Sequence, residues 1–189
     1  MENPEQNFDS PEQEEKPPFL YHASPNREIN EFEPRVETFR DPEEGPVIFA
    51  TPDKAYASMF LVPSDDRWTQ KSVFDGVNCH IISDKKLFEE LDQGGTIYSL
   101  PSETFETDPK RSKTGREWTG KKTVSLSDKT PYKSGLEAMI ENGVQVYFVD
   151  KSTFKKIREA GDHGLSILKS LESENQQRGK NVVKFEDEK

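Results

Sequence analysis

Pro46-Val47-Ile48-Phe49-Ala50-Thr51-Pro52-Asp53-Lys54-Ala55-Tyr56-Ala57 is the stretch on which the reading of the fold turns. Its first five residues form a short apolar run that reads as a buried strand. Thr51 then reads as a helix N-cap. Pro52 falls at the first helical position, where its missing N–H costs nothing, and Asp53 stands near the positive end of the helix. The helix is expected to turn Ala55, Met59 and Val62, or Tyr56 and Phe60, inward and to end before Pro63. Strand and helix thus alternate within a few residues.

Working outward, Phe19-Leu20-Tyr21-His22-Ala23 reads as a strand closed by Ser24-Pro25. Downstream, Ser72-Val73-Phe74 and Val77–Ile81 flank Asp75-Gly76, a strong hairpin signal. Ser83 is expected to cap a helix over Lys85–Leu91, stopped by Gly94-Gly95. Thr96–Leu100 is a strand with Thr104-Phe105 as its neighbour across Pro101, and Lys121–Leu126 is a further strand candidate. Ser134 caps a helix through Leu136, Met139 and Ile140 that ends at Gly143. Val144–Val149 is the clearest buried strand, and Asp150 caps a last helix through Phe154 and Ile157. The count is six or seven strands and three or four short helices, which predicts an α+β domain with mostly antiparallel pairing.

Residues 1–18 hold six acids, four prolines and one lysine; such a segment buries too little to offset its ordering entropy and is expected to be a disordered leader. The predicted organisation is a leader over 1–18, one domain over 19–168 and a charged tail over 169–189, in which Val182, Val183 and Phe185 can still dock as a last strand. No internal repeat is present.

The 189 residues carry a formal net charge of −10, which argues against nucleic acid as a partner, because duplex binding needs a basic surface. No apolar run approaches the ~20 residues of a membrane span. The N-terminus lacks a basic-then-apolar signal, so a cytoplasmic protein is expected. Cys79 is the single cysteine, which excludes an intramolecular disulfide and a multi-thiolate zinc site.

Three histidines are present. His163 lies in a turn. His80 adjoins Cys79 on a strand, and neighbouring strand residues point to opposite faces, so the pair cannot share one metal. No metal-binding spacing occurs, so no metal is expected. Cys79 reads as a buried thiol, with a nucleophile paired to a distant histidine as the alternative. His22 and Ser24 share one face at a strand end, with a structural histidine as the plain alternative. Lys110–Lys122 holds six basic residues and one acid around Trp118; it reads as a solvated loop or as a place that draws an anionic ligand. Ser102, Thr104, Glu106 and Asp108 are expected to alternate on one face at a strand exit, either as a solvated edge or as a carboxylate pair beside a cleft.

From Phe19 to Asp128 the order of these pieces resembles the ADP-ribosyltransferase superfamily, and within it the small bacterial rifamycin-modifying type. The resemblance rests on Leu20-Tyr21-His22-Ala23-Ser24, similar to a Tyr-His-Gly-Thr/Ser strand. It rests also on the 46–57 strand and helix, and on Ile97–Pro101 leading to Phe105-Glu106-Thr107-Asp108-Pro109. It implies small, mostly antiparallel sheets around a central cleft. It implies NAD as substrate, with ADP-ribose passed to an unknown acceptor in a bacterial or phage setting. On this sequence it gives His22 the ribose-holding role, Asp108 the carboxylate that stabilises the ribosyl cation, and Glu106 the same-face alternative. Ser24, Tyr21, Phe49 and Tyr56 complete the implied NAD-binding set. Ile48 aligns where the family carries a stacking tyrosine. That departure allows a catalytically inactive relative acting as a nucleotide- or protein-binding module; an RNA-directed 2′-phosphotransferase relative is opposed by the charge balance.

Overall fold

The structure, a computed structural model, describes residues 16–35, 45–107, 115–174 and 182–184. In chain order the elements are β1 (Phe19–Ser24), β2 (Glu31–Phe32), β3 (Ile48–Ala50), α1 (Lys54–Ser58), β4 (Thr69–Phe74), β5 (Val77–Ile82), α2 (Lys85–Leu91), β6 (Gly95–Pro101), β7 (Phe105–Glu106), β8 (Trp118–Gly120), β9 (Val124–Ser125), β10 (Asp128–Tyr132), α3 (Gly135–Glu141), β11 (Gln145–Phe148), α4 (Lys151–Glu159), α5 (Leu165–Glu174) and β12 (Val182–Lys184). The fold is α+β, built on small sheets that are mostly antiparallel.

Two three-stranded antiparallel sheets, β1-β6-β10 and β3-β8-β7, lie beside the two-stranded β2-β9 ladder. A fourth sheet runs β12-β11-β5-β4, with β11 parallel to both β5 and β12. The parallel pairing of β11 with β5 follows from what lies between them. A long connection carrying α2, β6–β10 and α3 brings the chain back in the same direction, whereas β4 and β5 are joined by a tight hairpin. In that hairpin Asp75 and Gly76 both take positive φ, 50° and 80°, as the twist of a two-residue turn demands.

Period-two alternation on β5 splits the core. His80 and Ile82 face Met59, Phe88, Met139 and Phe148, while Cys79 and Ile81 face Tyr147, Phe154, Ile157 and Leu168 under α4 and α5. A third cluster binds the two three-stranded sheets together through Leu20, Ile48, Tyr98, Leu100 and Phe105.

Several sequence expectations need correction. The described residues hold twelve strands and five helices, because short pairings such as β2-β9 leave no periodic trace. The first helix is capped by Asp53 rather than Thr51: Thr51 is held by backbone bonds to Tyr21, so helical geometry begins later. Asp84, not Ser83, caps α2, since the Ser83 hydroxyl donates to the Trp68 carbonyl. The strand expected over Lys121–Leu126 reduces to β9. Folded structure continues past 168: α5 crosses that boundary, and β12 pairs with β11. The leader boundary also shifts, as Lys16 donates to the carbonyls of Glu103 and Phe105 and Ser102 N–H to Pro18. The caps Ser134 and Asp150 stand where expected.

Candidate functional site

Strands β1 and β3 are joined by a single bridge, Tyr21 to Thr51, with N–H···O bonds of 2.7 and 3.0 Å. Beside that bridge, α1 and the end of β8 enclose a cavity of about 420 Å³, within the ~300–1,000 Å³ of small-molecule sites. Tyr21, His22, Phe49, Tyr56 and Phe60 supply its rings, and Arg116 and Glu117 its charges. Tyr56 and Phe60 meet edge to face at 5.2 Å, and Phe60 stays 47 % exposed at the mouth. Large aromatics with a few fixed polar groups are what a planar, partly polar ligand requires.

His22 is fixed in orientation and tautomer. Its Nδ1 lies 2.7 Å from the Phe49 carbonyl oxygen, and its ring packs 4.6 Å from that of Phe32. A carbonyl only accepts, so Nδ1 carries the proton. Burial pushes the imidazole below its ordinary value, with the Phe49 bond opposing and Arg35 adding to the shift. The ring is therefore neutral near pH 7 and Nε2 is an acceptor, suited to a ligand hydroxyl.

The strand register explains which residues of the 46–57 stretch reach the cavity. Ile48, Gly120 and Phe105 form one cross-strand row, buried in the core. Phe49, Thr119 and Glu106 form the adjacent row on the opposite face. Ile48 is thus a core residue, and Phe49 lines the cavity from that strand. A Cβ on Gly120 would lie 3.0 Å from the Phe105 ring, so a larger residue in the buried row would have to push that ring aside.

Of the residues singled out from sequence, His22, Tyr21, Phe49 and Tyr56 converge on this cavity. Ser24 does not; its hydroxyl accepts from the Asn26 N–H in a local turn at the strand end. Glu106 is exposed, on the Phe49 face but two strands away, ~10 Å by strand spacing. Asp108 lies outside the described residues. The expected alternation from Ser102 to Asp108 is broken at its start, because Ser102 accepts from the Phe105 N–H in a turn and is itself buried. Cys79 is a buried thiol pushed up to about 12, chiefly by burial, with the Glu172 carboxylate adding to the shift. His163 occupies a turn at φ 57°.

Arg116 and Glu117 were not among those candidates. Their signal was the basic Lys110–Lys122 stretch, whose middle places both at the cavity. Glu117 is the carboxylate-bearing side chain among the residues that line the cavity. A larger groove of about 800 Å³ lies between Trp68, Leu87 and Phe154. Its charges are partly matched within it, Arg67 with Asp65 and Lys155 with Glu159, and it offers no comparable set of fixed rings. Among the described residues, no group of three His, Cys, Asp or Glu side chains is placed to hold a metal ion. No helix there is long and apolar enough to cross a membrane.

Comparison of the chain with known protein families, with curated proteins and with solved structures returns no match.

Proposed function

We propose that the cavity between β1, β3 and α1 binds the nicotinamide–ribose portion of NAD, on an ADP-ribosyltransferase-like arrangement of sheets, and that the protein transfers ADP-ribose to an acceptor. The observation that carries this reading is His22: a neutral imidazole, its Nδ1 anchored to the Phe49 carbonyl, set among Tyr21, Phe49 and Tyr56. Its Nε2 accepts a hydrogen bond from a ribose hydroxyl, and a pyridine ring packs against the aromatic wall, a contact worth roughly 1 kcal/mol beyond area burial.

In the reaction the bond between ribose C1′ and the nicotinamide nitrogen breaks. Its electron pair leaves with the nicotinamide, and the ribosyl carbon becomes cationic. A carboxylate close by stabilises that charge. The acceptor's nucleophile then bonds to C1′ and gives up its proton. Glu117 lines the cavity, and Glu106 stands on the face of the sheet that carries Phe49.

The test is calorimetry with NAD combined with chromatographic detection of nicotinamide. Saturable binding that His22→Ala weakens at least ~10-fold, the range for a lost bond from a buried group, with nicotinamide release that Glu117→Gln or Glu106→Gln suppresses, is the expected result. Absence of both binding and release, from protein that melts cooperatively, overturns the reading. Glu106 lies outside the cavity lining, which favours a second reading, a binding module without transfer; it predicts NAD binding with no nicotinamide formed by the wild type.

A further inference from the structure

We infer that Arg116 is the anion-binding group of this cleft, held in position by Asn78 and Asp53, and that it selects ligands bearing phosphate. The inference rests on the nucleotide reading above and names the part of the ligand that the aromatic wall and His22 do not address.

Asn78 lies on β5 and is 5 % exposed. Its side-chain Nδ2 donates to Asp53 Oδ2 at 2.8 Å, while Arg116 Nη1 donates to Asn78 Oδ1 at 3.0 Å. A carboxylate can only accept, so the amide group of Asn78 must face Asp53 and its oxygen must face Arg116. Asp53 is fixed in turn, because its Oδ1 caps α1 by accepting from the Tyr56 N–H at 3.0 Å. The guanidinium is also seated against the Tyr56 ring, 5.5 Å from its centroid. A helix cap, a buried amide and an aromatic face therefore locate one cation on the cavity wall.

The chemistry of the relay matters as much as its rigidity. The group that accepts from Arg116 is a neutral carboxamide. A carboxylate in that place would locate the side chain equally well and cancel its charge; the amide locates it and leaves the charge available. Two more cations stand over cavity rings, Lys54 Nζ at 6.0 Å from the Tyr21 centroid and Lys71 Nζ at 4.6 Å from that of Phe60. Three cations thus stand over three rings of the cavity, against one carboxylate, Glu117, among its lining residues. The planar fork of arginine matches two phosphate oxygens, which a lysine cannot do.

The experiment compares ADP-ribose with adenosine by calorimetry on wild type, Arg116→Gln, Arg116→Lys and Asn78→Ser, each checked for a cooperative melt. Wild type should prefer ADP-ribose. Arg116→Gln should weaken ADP-ribose about 10- to 100-fold and adenosine by less than about 3-fold, the range for loss of a charge-assisted bond. Arg116→Lys should recover only part of the loss. Asn78→Ser should narrow the preference with the charge retained, which a role confined to holding the loop would not do. Binding of both ligands with an unchanged preference in Arg116→Gln overturns this inference and leaves the nucleotide reading standing. Failure of wild type to bind ADP-ribose overturns this inference, and failure to bind NAD as well overturns the nucleotide reading with it.

Discussion

Acidification from about pH 7 to about pH 5 loads one group in the core. His80 is fully buried on β5, its Nδ1 is 3.2 Å from the Met139 sulfur, and its Nε2 has no hydrogen-bond partner. Burial, with a smaller contribution from the Lys71 ammonium, pushes the imidazole from its ordinary 6.5 down to about 3. The unfolded chain therefore takes up a proton near 6.5 while the folded chain resists until near 3. Between those values the unfolded state holds more protons, and stability falls as pH falls. Linkage with these two values gives a loss of about 2 kcal/mol between about pH 7 and pH 5, and about 4 kcal/mol by about pH 3. His22 is shifted in the same direction, so wild type alone cannot isolate the effect. His80→Leu does, because it leaves His22 in place and removes both the titrating ring and the orphaned nitrogen. Urea unfolding followed by the fluorescence of Trp68 and Trp118 at several pH values measures it. The variant should match wild type at neutral pH to within about 1 kcal/mol. It should then lose about 2 kcal/mol less on the way to pH 5. Parallel curves for the two proteins across that interval would refute the reasoning, since His80 would then not be a proton-excluding core group.

Two further outcomes follow from the half-buried Asp92 and the buried Cys79. Asp92 accepts from the backbone N–H of Gly94, Gly135 and Leu136, so Asp92→Ala should cost about 2–3 kcal/mol by chemical denaturation, from backbone donors left without their acceptor; a loss under about 0.5 kcal/mol would show that these donors find other partners. The Cys79 thiol, pushed up to about 12, should react with a disulfide reagent at least ~100-fold more slowly in the folded protein than in urea, and equal rates at neutral pH would contradict its burial.

How much of this was legible in the chain depends on the kind of signal involved. The hairpin at Asp75-Gly76, the buried strand β11 and the caps Ser134 and Asp150 were readable, because each rests on local chemistry: a turn that needs positive φ, an apolar run, a side-chain oxygen three residues before the N–H from which it accepts. The caps of α1 and α2 were each misplaced, by two residues and by one, and both misses have the same cause. Thr51 and Ser83 were good local caps already engaged in tertiary bonds, to Tyr21 and to the Trp68 carbonyl. Gly94-Gly95 reads from the sequence as a helix stop. In the fold a Cβ on Gly94 would lie 2.3 Å from the Lys133 carbonyl oxygen, a constraint from a segment nearly forty residues away. Within the site, the histidine and the rings were legible as strand and helix positions. Arg116 was not, because its position is set by Asn78 and Asp53, which belong to two other elements.

The misplaced cap at Thr51 is also the link between fold and site. Once the Tyr21 bridge holds the Thr51 backbone, α1 must begin later, and Asp53 becomes the residue that caps it. A cap uses one carboxylate oxygen, and the second is left to reach Asn78. Had Thr51 capped the helix, Asp53 would have stood in its first turn, with no cap geometry to aim its second oxygen at β5. The same bridge sets the gap across which His22 reaches the Phe49 carbonyl. One pair of backbone hydrogen bonds between β1 and the end of β3 therefore governs where the helix starts, which carboxylate anchors the Arg116 relay, and how the His22 ring is held. The anchored imidazole and the anchored guanidinium are then two consequences of one strand crossing. Because Arg116 also rests on the Tyr56 ring, a substitution at Phe60 should alter the shape of the cavity more than the placement of its polar groups, whereas one at Tyr56 should disturb the guanidinium as well.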